Sequence, residues 1–205
     1  MKFKKLMAAV TTGVLAVTSL SLSGLIGSAE VQELMNDTFE SGYGAWKGVG
    51  SSLSLSTEQA HNGGTSLYCY DRTANWGAPR CSLTGIVAAG QSYEISASAM
   101  YEGSGQQNMA IKMIYTDANG TDHYDQVAAA QATAGQWVEI KGNYTVPSGA
   151  TDMILYVEMP DANTDQTYYI DDVVIKGEKT EIQLDDKFES DFDNNSTQKW
   201  NGRGS

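Results

Sequence analysis

The sequence predicts an all-β fold over residues 30–178, an antiparallel two-sheet β-sandwich, from three observations. Apolar and polar residues alternate at a period of two, the signature of half-buried strands. Clusters of Gly, Asn, Asp and Ser interrupt the alternation, in a chain with 21 Gly among 205 residues. No useful length of this region carries helical periodicity.

The elements follow in order. Residues 1–29 read as a secretory signal peptide, with Lys2, Lys4 and Lys5 ahead of an apolar stretch and Gly27-Ser28-Ala29 before a cut at Glu30. Strands are expected at 53–56 and 66–70. At 93–101, Tyr93, Ile95, Ala97, Ala99 and Tyr101 face one way and Glu94, Ser96 and Ser98 the other. Met109, Ile111, Met113 and Tyr115 mark the next strand. Asn119-Gly120 then turns the chain into a strand near 124–129, because both residues tolerate φ > 0. Further strands are expected at 137–144, 153–158 and 167–175. About nine short strands in this span suit a sandwich. Gly177-Glu178-Lys179-Thr180 opens a linker, placed at 179–184.

An internal repeat sets the unit of architecture. Asp37-Thr38-Phe39-Glu40-Ser41 with Trp46-Lys47-Gly48-Val49-Gly50-Ser51 returns as Asp186-Lys187-Phe188-Glu189-Ser190 with Trp200-Asn201-Gly202-Arg203-Gly204-Ser205. The offset of about 149 residues is the size of a domain rather than of a solenoid repeat. Residues 185–205 therefore read as the truncated start of a second, similar module.

Charge narrows the partners. With 13 Lys+Arg against 25 Asp+Glu the net charge is −12, which argues against nucleic acid and against anionic membranes. A neutral polymer or a cation such as calcium is the better match. The chain is expected to be secreted, with no membrane anchor after signal cleavage. Cys69 and Cys81 flank a loop containing Arg72 and Trp76. In an exported chain such a pair often forms a disulfide, which would tie that loop between two strands; two reduced buried thiols are the alternative.

Catalysis has no positive signal. Glu158 is an acid on an apolar strand without an evident carboxylate partner, and Glu139 reads as solvated. His61 and His123 lack zinc spacing. Binding is better supported. In Met153-Ile154-Leu155-Tyr156-Val157-Glu158 the period of two puts Tyr156 and Glu158 on one face and Met153, Leu155 and Val157 in the core. A ring beside a carboxylate suits a sugar, and Tyr124 and Trp76 could add rings. Tyr156 and Tyr124 read equally well as half-buried strand aromatics. Trp76, in the polar loop Thr73-Ala74-Asn75-Trp76-Gly77-Ala78-Pro79, is an indole in want of a partner.

Phe39-Glu40, Trp46, Ala60-His61-Asn62-Gly63, Ser66-Leu67, Arg72-Thr73-Ala74-Asn75-Trp76-Gly77-Ala78-Pro79 and Tyr169-Ile170-Asp171-Asp172-Val173 together resemble the family 22 carbohydrate-binding modules, within the family 4, 9 and 22 jelly-roll group. The resemblance covers about residues 35–177 and is most specific at Arg-Thr-Ala-Asn-Trp. It implies a jelly roll that binds xylan, or mixed-linkage β-glucan, as a monomeric unit tethered to the catalytic domain of an endo-β-1,4-xylanase. Trp76, Tyr156 and Glu158 match its sugar-contacting positions, and Tyr124 its remaining platform tyrosine. Val49 stands where the family has an arginine, a position that Arg203 keeps in the partial repeat. That difference leaves open a weakly binding, stabilising spacer; a jelly-roll glycosidase is a third alternative. The resemblance also implies a structural calcium ion held by Glu40 and Asp171 with help near Thr38, Asn62 and Ser66.

Overall fold

The computed structural model describes residues 30–178. The segments read from sequence as a signal peptide (1–29), a linker (179–184) and the start of a second module (185–205) lie outside the described residues. Eleven strands form: β1 Val31–Asp37, β2 Lys47–Val49, β3 Ser52–Ser56, β4 Ser66–Tyr70, β5 Ala78–Ser82, β6 Ser92–Glu102, β7 Gln106–Thr116, β8 Asp122–Thr133, β9 Val138–Thr145, β10 Thr151–Glu158 and β11 Thr167–Glu178. All pairings are antiparallel. One sheet runs β3-β4-β11-β6-β9, with β1 also on β11; the other runs β2-β5-β10-β7-β8. The result is a two-sheet sandwich of the jelly-roll kind.

The alternation read from sequence fills the space between the sheets. Tyr93, Ile95, Ala97, Ala99 and Tyr101 from β6 meet Met109, Ile111, Met113 and Tyr115 from β7 in one core, joined by Met153, Leu155 and Val157 of β10. Phe39 and Trp46 enter the same core edge to face, 6.0 Å between centroids, and the Trp46 indole N–H donates to Asp37 at 2.6 Å.

Four expectations need correcting. Cys69 and Cys81 are free thiols, not a disulfide. Each is an inward-facing core residue, Cys69 on β4 and Cys81 on β5, in opposite sheets. The period of two aims them into apolar packing rather than into a bridge, and burial pushes the Cys81 thiol up to about 11. Strands β1, β2 and β5 were not anticipated; β5 contains Pro79 and begins inside the segment read as a loop. Gly177 and Glu178 belong to β11, paired with β1, rather than to the linker. In the β7–β8 turn Gly120 takes positive φ but Asn119 does not. The Asp117 carboxylate closes that turn by accepting from the amides of Asn119 (2.8 Å) and Thr121 (2.9 Å).

Strand β11 changes partner midway. Its first half pairs with β4 and its second with β1, so β4 and β1 lie end to end along one edge. At the change, Asp172 and Val173 together oppose the single residue Ala97 of β6, a bulge in which Asp172 has φ 46°.

Candidate functional site

The site lies on the outer face of the β2-β5-β10-β7-β8 sheet. Register places Lys47, Arg80, Tyr156, Lys112 and Gln126 opposite one another in a single row across all five strands. Residues directly opposite in antiparallel strands share a face. Because Leu155 and Cys81 go to the core, Tyr156 and Arg80 go outward. The neighbouring row contributes Ile154, Ile114 and Tyr124.

Val49, Trp76, Arg80, Tyr124 and Tyr156 line one cleft of about 450 Å³. Trp76 is 51 % and Tyr124 61 % exposed, two large rings left open to water. Tyr156 is different. It was expected to display its ring, yet it is 3 % exposed and forms the floor, packed with Ala78 and Ile114. The guanidinium of Arg80 sits over it, 5.2 Å from the ring centroid, and 5.8 Å from the ring of Trp76. Burial first, then the nearby charge of Glu158, pushes the Tyr156 hydroxyl up to about 12, so it stays a neutral donor. Glu158 is also buried, at 3 %, and is ion-paired with Lys112.

The Arg-Thr-Ala-Asn-Trp segment places Trp76. Arg72 is 4 % exposed and donates to five backbone carbonyls: Gly77 (3.1 Å), Asn75 (2.6 Å), Met159 (3.1 Å), Asn163 (3.1 Å) and Gln166 (3.5 Å). One planar cation thus ties the Trp76 loop to the loop between β10 and β11. The Thr73 amide donates to Gly50 at 2.8 Å, and the Asn75 side chain to Pro160 at 3.3 Å. Gly50 then seats the indole.

Sequence reading gave no role to Arg80, Lys112, Arg72 or Gly50, although the last two lie inside motifs it singled out. The signal for Arg80 was present, because Arg80-Cys81-Ser82-Leu83 alternates.

The residues implied for calcium lie elsewhere, where β4 and β1 meet along β11. Glu40 accepts from the amides of Gly64 and Thr65, both at 2.9 Å. Asp171 accepts from the amides of His61 (2.9 Å), Asn62 (3.3 Å) and Asp172 (2.8 Å). Both carboxylates therefore grip one loop, residues 61–65. Ser66 is fully buried and donates to the Gln59 carbonyl at 2.5 Å, while Thr38 and Asn62 line one groove on this side. Asp171 is fully buried, and that desolvation raises its carboxyl above the ordinary value despite the amides. Phe39 (φ 59°) and Asp172 (φ 46°) hold strained backbone beside each of the two acids. Two carboxylates closing on one loop, with the Ser66 hydroxyl next in the chain, are oxygens of the kind a hard cation takes, although the contacts they make in this structure are with amide N–H groups. Among the described residues no cluster of three or more His, Cys, Asp or Glu forms.

The carbohydrate binding domain family CBM_4_9 matches residues 32–167. A xylanase/beta-glucanase of Ruminococcus flavefaciens is 32% identical over 154 residues, which are 73% of this chain and 19% of that protein. An endo-1,4-beta-xylanase A of Thermotoga neapolitana is 36% identical over 156 residues, 72% of this chain and 14% of that protein. The chain thus spans under a fifth of these relatives. Among solved structures, the C-terminal family 22 carbohydrate binding module of Clostridium thermocellum Xyn10B superposes with TM-score 0.66 at 32% identity, covering 73% of this chain and 97% of that one. The chain belongs to the family 22 carbohydrate-binding modules.

Proposed function

We propose that this domain binds xylan, or a mixed-linkage β-glucan, without cleaving it, and holds a secreted plant cell-wall hydrolase against that polymer. The observation that carries this reading is the cleft in which the open rings of Trp76 and Tyr124 flank a floor of Tyr156 and Arg80. Exposed aromatic faces stack on the C–H faces of sugar rings, while the tyrosine hydroxyl and guanidinium donate to hydroxyls. Support comes also from the relatives, whose names are those of xylanases and β-glucanases. Binding rather than chemistry fits Glu158, which is engaged by Lys112 instead of facing a second carboxylate. Tethering raises the local concentration of a catalytic domain on its substrate.

Affinity electrophoresis through soluble xylan tests this. Xylan retards the protein, and Trp76→Ala abolishes the retardation while leaving the thermal midpoint nearly unchanged. Equal mobility with and without xylan or β-glucan would favour the stabilising spacer instead.

Calcium belongs to the same proposal as a structural ion. Glu40 and Asp171 would hold it, with oxygens near Thr38, Asn62 and Ser66, and its charge would offset the burial of Asp171.

A further inference from the structure

We infer, resting on the xylan reading above, that the Lys47–Arg80 pair makes this cleft selective for xylan that carries carboxylate side groups. Acids outnumber bases in this chain, 25 to 13. Among the described residues, Lys112, Lys141 and Lys176 each pair with a glutamate. Arg72 is spent on backbone carbonyls. Lys47 and Arg80 pair with no acid among the described residues, and they stand directly opposite each other on β2 and β5. Two like charges facing across a ladder repel, so an acidic chain that leaves such a pair uncompensated lowers its own stability there. An anion between them removes the repulsion.

The geometry of Arg80 points the same way. Its guanidinium is held between the rings of Trp76 and Tyr156, and its Nε is buried without a hydrogen-bond partner. An orphaned N–H on a fixed planar cation calls for an acceptor, and a carboxylate supplies two oxygens in the matching fork. Sugar hydroxyls satisfy donors one at a time and leave the charge uncompensated. A uronic acid branching from a neutral xylose backbone meets both needs, because the backbone still stacks on Trp76 and Tyr124. Val49 lines the same cleft as Arg80 and offers the guanidinium no acceptor of its own.

The test compares glucuronoxylan with the same polymer after chemical reduction of its uronic acids to neutral sugars. The protein binds the native polymer about tenfold more tightly than the reduced one, the scale of one charge-assisted hydrogen bond. The ratio falls toward one in high salt, and in Lys47→Gln and Arg80→Gln. Equal affinity for the two polymers overturns this inference and leaves the xylan reading standing, as does a ratio unchanged in both variants. Binding to neither polymer overturns the xylan reading, and this inference with it.

Discussion

The indole of Trp76 rests on Gly50 so closely that a Cβ added there would come within 2.6 Å of the ring. Gly50 also holds φ 65°, where side chains are strained, and its carbonyl accepts from Thr73. Gly50→Ala should therefore cost about 1–3 kcal/mol from backbone strain alone and swing the indole off its seat. The checks are a lower denaturation midpoint, a shifted tryptophan emission and lost retardation by xylan. Normal retardation would show that the seat is unimportant.

Arg72 is a clamp, not a ligand-facing group. Arg72→Ala strands carbonyls of two loops and should lower stability by about 2–4 kcal/mol. Arg72→Lys should recover little, since an ammonium cannot reproduce the planar fork. Urea unfolding measures both; full rescue by lysine would refute the fork argument.

The two thiols make a further prediction. Titration with a thiol reagent should count two reactive sulfhydryls in denaturant and almost none in the native protein, because both side chains are buried. A reductant should leave the melting temperature unchanged. Zero thiols in denaturant would restore the disulfide.

Asp117 sets an acid limit on the β7–β8 turn. Hydrogen bonding from the Thr121 amide first, then His123 and Asn119, lowers its carboxyl from 3.8 to about 2. A folded pKa below the unfolded one adds stability above the ordinary carboxylate range and loses it as pH falls through about 2. Wild type should melt above Asp117→Asn at pH 6, and the gap should close on acidification toward pH 2. A gap independent of pH would count against this.

Calcium should raise the melting temperature and a chelator should lower it, because a ligand of the native state alone shifts unfolding. Glu40→Gln should abolish that response. A midpoint indifferent to calcium in the wild type would remove the ion from the proposal.

Local pattern carried much of the architecture. The period-two runs of β6, β7 and β10 placed Tyr101, Met113 and Leu155 inside, and the same rule put Tyr156 and Glu158 together on the opposite face, because a strand's faces follow from its pleat. The bulge of β11, though not its change of partner, also leaves a local trace, which reading 167–175 as one unbroken strand passed over. The apolar spacing breaks period between Ile170 and Val173, where the bulge sits. The resemblance residues pointed to the loop that carries Trp76.

Register and pairing lay beyond that reach. Which strands become neighbours is decided by contacts far apart in sequence, so the row from Lys47 through Arg80 and Tyr156 to Lys112 exists only once β2, β5, β10 and β7 have paired. The same distant pairing laid a guanidinium over the Tyr156 ring, tied Glu158 to Lys112, and sent two cysteines into separate sheets. Sequence alone determined eight of the eleven strands and, from the pleat, which side chains of β6, β7 and β10 face the core. Tertiary structure decided which of the displayed groups remain open to a ligand, because burial and charge pairing depend on every neighbour that folding brings near.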